Sequence, residues 1–235
     1  MKGVFAMYDL HFAPDNASLI LRLVMAEAAI PYRAVLVDRA TRQQDGADYR
    51  RLNPTGLIPT LVTPQGAVSE TAACLLWLAE THPRAGLAPA VGDESRGAFL
   101  NWLLFLSNTA HADLRQLFYP DQYVPEAARA GHCALMQARM KRHFALLDKA
   151  ASARPALFTA ACVLAPYTAV LMRWCVLYPK GAESWFQITD YPALQAMAAA
   201  LETRPATRAA AAAEGLGPCP FTAPQYACPP IGSAT

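Results

Sequence analysis

LNPTGLIPTLVTPQGAVSETAACLLWLAE, residues 52–80, reads as loop, strand, turn, strand and helix. Leu57 to Val62 is apolar and partly β-branched, Pro64-Gln65-Gly66 is a turn, and Ala67-Val68 continues as a short strand. A helical run is expected from Glu70 onward. Pro59 cannot donate to a sheet ladder, so this position is a bend, an edge or a cis Ile58-Pro59 bond. A cis bond would turn Ile58 outward and leave its backbone N–H and C=O to pair with an extended ligand. Glu70-Thr71-Ala72 would open the next helix, where unsatisfied N–H groups converge on the same place.

Working outward toward the N-terminus, Val4 to Phe12 reads as a strand stopped by Ala13-Pro14-Asp15-Asn16. Ser18 to Ala29 carries apolar residues at helical spacing, and Tyr32 to Val37 alternates as a second strand. The polar stretch from Asp38 to Arg51 is expected to be a loop with at most one helical turn. The order is β-α-β followed by β-β-α, one mixed sheet covered by helices. Toward the C-terminus, prolines and glycines in residues 83–93 mark a linker. Four helical runs follow: Glu94 to Leu117, Pro125 to Ala151, Thr159 to Tyr178, and Tyr191 to Ala213, the last a single helix or a broken pair. The expected fold class is therefore α/β plus all-α: a domain over 1–82, a helical domain over 94–216, and a proline-rich tail over 217–235.

NPTGLIPTL followed by SETAACLLWLAE resembles the glutathione transferase family, as do FTAACVLAPYTAVLMRW and DYPALQAMAAALETRPATRAAAAAEGL in the helical half. The likeness implies a thioredoxin-like first domain. It also implies that Ile58, before Pro59, pairs with the cysteinyl backbone of glutathione, while Glu70 and Thr71 hold its γ-glutamyl end. PDNASL is similar to the PGACSL of the bacterial beta class, with Ala17 on that class's cysteine and Ser18 on the adjacent serine. The missing cysteine excludes thiol-reductase chemistry from this position and leaves Ser18 as a candidate activator of the glutathione thiol.

WLLFLSNTAHADLRQLF resembles the beta-class helix whose histidine faces the thiol from the second domain, which is His111 here. Ala112 and Leu104 replace that class's lysine and asparagine. Arg42 is a candidate for the glycyl carboxylate of glutathione, beside the alternative of an exposed loop arginine. Ser18 likewise has an ordinary alternative as a helix N-cap, and Glu70-Thr71 as a plain helix start. Where the family pairs a Ser/Thr cap with an Asp three residues on, this chain has Thr159 and Cys162, and a thiol cannot return the second bond of a capping box.

The chain has 235 residues, enough for two domains with cores of their own. Hydrophobic residues make up 54% and charged ones 16%, yet no apolar run approaches the ~20 residues of a membrane span. With 20 Lys and Arg against 18 Asp and Glu the net charge is +2 and no basic stripe is present, so nucleic acid is not an expected partner. MKGVFAMYDLHF lacks the pattern of a signal peptide, and a cytoplasmic protein is expected. The 6 cysteines form no CxxC pair and no metal-ligand spacing with the 5 histidines, so no metal is expected. Cys74 and Cys175 read as buried small hydrophobes. Cys219 and Cys228 bracket the tail and would pair only in an oxidising compartment. The resemblance implies glutathione as co-substrate, a small, hydrophobic electrophile as the second substrate, and a homodimer. The alternative is a non-catalytic protein that binds glutathione or a partner on the same fold.

Overall fold

The computed structural model describes residues 8–181 and 184–234. Two compact units emerge: unit 1 takes residues 1–87, 203–218 and 226–235, and unit 2 takes 88–202 and 219–225. The chain therefore returns to unit 1 twice after leaving it. The segment 203–218, expected among the helices of the second domain, belongs to the first unit.

Unit 1 is built on a four-stranded sheet of order β2-β1-β3-β4. β1 (Tyr8–Phe12) pairs parallel with β2 (Tyr32–Leu36) and antiparallel with β3 (Thr60–Thr63), and β3 pairs antiparallel with β4 (Gly66–Ser69). The parallel pair needs a crossover, which α1 (Ser18–Glu27) supplies. The β-α-β then β-β-α order is thus present, a thioredoxin-like mixed sheet. The expected first strand from Val4 is described only from Tyr8, because 4–7 lie outside the described residues. The polar stretch before the motif is more ordered than expected, with a 3-10 turn at Gln43–Asp45 and a short α2 (Ala47–Leu52). α3 (Thr71–Thr81) starts one residue later than expected.

Leu19, Ile20 and Leu23 of α1, Leu75 and Leu78 of α3, and Leu10 and Leu61 of the sheet are all buried, and α1 packs on both α3 and β1. α9 (Pro205–Glu214) also packs on α1. There Arg22 and Glu214 form a buried ion pair at 2.7 Å, with side chains 8% and 0% exposed. The Asp15 N–H donates to the other Glu214 oxygen at 2.9 Å, and the Arg22 guanidinium lies 4.5 Å from the centre of the Phe12 ring. Two charges taken out of water are tolerated because each has partners.

Unit 2 is helical among its described residues. The expected helix from Glu94 is in fact α4 (Arg96–Phe105), a π-helical turn at Leu106–Ala110, and α5 (His111–Phe118). α6 (Arg129–Ala153) follows a 3-10 turn, and α8 (Pro192–Glu202) is broken from α9 at Arg204-Pro205. α7 (Leu164–Leu177) begins five residues after Thr159, because Pro155–Phe158 forms a 3-10 turn and residues 159–163 form a further turn. Thr159 does not cap it: the N-cap is Val163, so the family's capping position is lost here altogether and not only at Cys162. Cys162 is buried instead, and burial pushes its thiol up to about 11.

The proline-rich tail is tied down in both units. In unit 2 the buried Arg173 donates to the carbonyls of Pro220 and Gln225, at 3.0 and 2.7 Å. Glu202 accepts from the N–H groups of Phe221 and Thr222 and from the Thr222 hydroxyl, and Phe221 is fully buried. In unit 1 the Cys228 N–H donates to the Gly215 carbonyl at 2.9 Å. Gly215 has φ 64°, and a Cβ there would stand 2.0 Å from the Cys228 oxygen, so only glycine both closes α9 and admits the tail.

Candidate functional site

In unit 1 the Ile58-Pro59 bond is cis, which decides among the bend, the edge and the cis bond that Pro59 left open. Pro59 is buried and Ile58 half-buried. Among the described residues the Ile58 N–H has no hydrogen-bond partner. The loop before it is held by side chains. The Tyr49 hydroxyl and Asn53 Nδ2 both donate to the Leu57 carbonyl, each at 2.7 Å. The Leu57 N–H donates to Thr55 Oγ1 at 3.3 Å, and that hydroxyl donates to Asn53 Oδ1 at 2.8 Å.

Glu70 occupies the cap position of α3 with φ 68° and ψ 121°, in the positive-φ half of backbone space where a side chain is strained. Its exposed carboxylate makes no cap bond to its own helix. Thr71, the first helical residue, is buried at 7% exposure. A carboxylate held outside a helix start, next to free N–H groups, is suited to a ligand ammonium beside a ligand carboxylate.

The turn leading into α1 has Asp15 at φ 50°, with Asn16 Oδ1 accepting from the Ala17 N–H at 2.8 Å. Ser18 is fully buried. Its hydroxyl donates to the Ala13 carbonyl at 3.1 Å and receives the Ala13 N–H at 3.3 Å, closing the turn. It is the first residue of α1 and not its N-cap, which is Ala17. Arg42 sits in an exposed loop at φ 56° and pairs with Asp45, donating through Nε at 2.8 Å, the arrangement of an ordinary surface arginine. His11, on β1, lies with its ring 5.8 Å from the Tyr49 ring, and burial lowers its pKa.

His111 belongs to unit 2 and opens α5 directly after the π-helical turn. Its Nδ1 is 3.0 Å from the hydroxyl of the buried Tyr167, and its ring is 5.7 Å from that of Trp174. Burial, helped by Arg115, lowers its pKa to about 4, so the imidazole is neutral near pH 7 and presents one donor and one acceptor. Two residues on, Asp113 accepts from Arg139 and lies 2.6 Å from His143 Nε2, a buried clip between α5 and α6.

Of the sequence-derived candidates, unit 1 holds Ser18, Arg42, Ile58, Pro59, Glu70 and Thr71, and unit 2 holds His111. Tyr49 and Asn53 were missed. The available signal was a lone aromatic in the charged run ADYRRL and an Asn immediately before a proline. All 6 cysteines are free, with Cys74, Cys162 and Cys175 buried and Cys219 and Cys228 exposed. Burial pushes the Cys74 thiol up to about 12, which makes it inert as a nucleophile. Among the described residues, no group of three or more His, Cys, Asp or Glu gathers to hold a metal ion. No described helix is long and apolar enough to cross a membrane.

The family profile described as "Glutathione S-transferase, N-terminal domain" matches residues 17–81. A sphingomonad glutathione S-transferase solved in complex with glutathione is 31% identical; the match covers 89% of this chain and 100% of that one, with a TM-score of 0.73. The beta-class glutathione S-transferase of Sphingomonas chungbukensis is 28% identical, covering 88% and 98%, with a TM-score of 0.72. Glutathione S-transferase GST-4.5 of Xanthomonas campestris is 34% identical over 119 residues, 51% of this chain and 57% of that protein. The chain spans 57% of the length of each of the first two curated relatives it matches.

Proposed function

This chain belongs to the glutathione transferase family, and from that premise we propose that it binds glutathione in unit 1 and activates its thiol for attack on a small, hydrophobic electrophile. The observation that carries the proposal is the Ile58 amide, without a partner among the described residues, together with Glu70 and Thr71 at the start of α3, at the same end of the β3–β4 hairpin, where Thr60 pairs with Ser69. In this reading Ile58 pairs with the cysteinyl backbone. Glu70 takes the γ-glutamyl ammonium, and Thr71 its carboxylate. Arg42 would have to leave Asp45 to reach the glycyl carboxylate.

The thiol must lose its proton near neutral pH for the sulfur to attack. The positive end of α1 favours the resulting thiolate. Two side chains compete for the role of donor to it. Ser18 would transfer its hydrogen bond from the Ala13 carbonyl to the sulfur, and His111 would donate as a neutral imidazole. All 6 cysteines are free, which fits a reducing compartment, and the cytoplasm is the proposed location. A closed two-fold homodimer is the proposed assembly.

One observation favours a second reading, a non-catalytic glutathione-binding protein. The Ser18 hydroxyl already has both a donor and an acceptor inside its own turn, and Ala17 brings no thiol. Calorimetric titration with glutathione followed by a rate assay on the same sample separates the readings. Binding at millimolar or lower concentration with turnover supports the enzyme, and binding without turnover supports the second reading. Ultraviolet thiolate absorbance of the complex against pH, in the parent, Ser18→Ala and His111→Ala, assigns the donor. The variant whose thiolate appears at higher pH identifies it, and identical titrations reject both.

A further inference from the structure

The peptide joining Leu57 to Ile58 is a rigid plane, so whatever fixes the Leu57 carbonyl also fixes the direction of the Ile58 N–H. That carbonyl has two lone pairs, and both are taken at 2.7 Å, one by the Tyr49 hydroxyl and one by Asn53 Nδ2. Because Tyr49 has a single proton and gives it to Leu57, its 2.9 Å contact with Thr60 Oγ1 is one in which Thr60 donates. Tyr49 therefore holds the chain on both sides of Ile58-Pro59. Asn53 adds a closed circuit through Thr55 to the Leu57 N–H. Tyr49 and Asn53 are themselves 6% and 2% exposed, so neither is available to touch a ligand.

We propose that Tyr49 and Asn53 are positioning residues that aim the Ile58 N–H at the backbone carbonyl of the glutathione cysteinyl residue. This rests on the glutathione reading given above. Either donor alone still anchors the plane, and losing both lets it rotate. The two losses should therefore be cooperative.

The test uses the full chain as parent, Tyr49→Phe, Asn53→Asp and the double variant, with glutathione Kd from calorimetry and folding from circular dichroism well below the melting temperature. Each single change should weaken binding about three- to tenfold, the net worth of one buried hydrogen bond. The double should weaken it by more than the product of the singles. If the parent turns over, the loss should fall on KM for glutathione with kcat held within about twofold, which a general loosening of the fold would not produce. Tyr49→Phe retains the ring against His11 and keeps the test open should Asn53→Asp fail to fold. A parent that binds, with folded variants of unchanged Kd or a double equal to the product, overturns the positioning role and leaves the glutathione reading standing. A parent that does not bind glutathione at millimolar concentration overturns both.

Discussion

Glu214→Ala tests whether the turn at Asp15 and helix α1 are anchored by α9. The substitution strips Arg22 of its carboxylate at 2.7 Å while the guanidinium stays buried, and it removes the acceptor of the Asp15 N–H at 2.9 Å. Breaking a buried pair from one side costs about 3–5 kcal/mol. Arg22 keeps its place over the Phe12 ring at 4.5 Å, so the lower end applies, about 3 kcal/mol. Loss of this acceptor for the Asp15 N–H adds ~1 kcal/mol. At roughly 2–4 °C per kcal/mol for a chain of this size, the melting temperature should fall by about 8–16 °C. Burial raises the Glu214 carboxyl to about 7, against the opposing pull of Arg22, so the measurement belongs at pH 8, where the pair is charged. Far-UV circular dichroism melts of the parent, Glu214→Ala, and Arg22→Met combined with Glu214→Leu would provide it. The double variant, with no unpaired charge, should recover most of the loss. A single variant melting within about 2 °C of the parent would refute the reasoning, since no uncompensated buried charge could then have been created.

Glu70→Gly removes a side chain from a strained backbone position, so stability should hold or rise by up to ~1 kcal/mol. Glutathione affinity should fall by ~1–3 kcal/mol as the charge-assisted contact goes; urea unfolding and calorimetry on one preparation check the two halves, and unchanged affinity would reject the carboxylate's role. His111 stays neutral in the fold down to about 4, whereas the unfolded chain protonates it near 6.5. The unfolded state binds more protons across that window, so stability should fall as pH drops from about 6.5 to about 4. The loss should be about 2 kcal/mol, discounted for the ring's partial exposure; urea midpoints against pH should show a flatter profile in His111→Gln. A homodimeric mass by light scattering at tens of micromolar is expected, and a monomer there would count against the proposed assembly.

The thioredoxin-like order was legible because it rests on local signals: a proline where a strand would need a donor, a Pro-Gln-Gly turn, and helical spacing of Leu19 and Leu23. Those signals fail where one residue changes nothing in the apolar pattern. The run from Glu94 reads as one helix, and the π-helical turn before His111 leaves no mark on its periodicity. At Thr159, resemblance suggested a cap, but the 3-10 turn at Pro155 and the turn that follows it delay α7 to Leu164. Partners distant in sequence were out of reach altogether. Arg22 and Glu214 stand 192 residues apart, and composition gives no hint that Arg173 and Glu202 would order a tail so rich in proline. Candidate residues near the motif were found through likeness. Tyr49 and Asn53 act on a carbonyl, and a backbone acceptor has no letter in the sequence.

The route of the chain also bears on how the protein can be made and dissected. Unit 1 is assembled from three separate stretches, so no single cut yields it. A fragment ending near Leu87 would contain the whole stretch matched by the family's first domain, residues 17–81, and still lack the carboxylate that neutralises Arg22. Such a fragment would present a buried cation with no carboxylate to meet it, and an apolar flank of α1 where α9 had been. Co-expression with a peptide spanning 203–218, or a circular permutant joining that helix to the first domain through a short linker, is the economical way to obtain the sheet half alone.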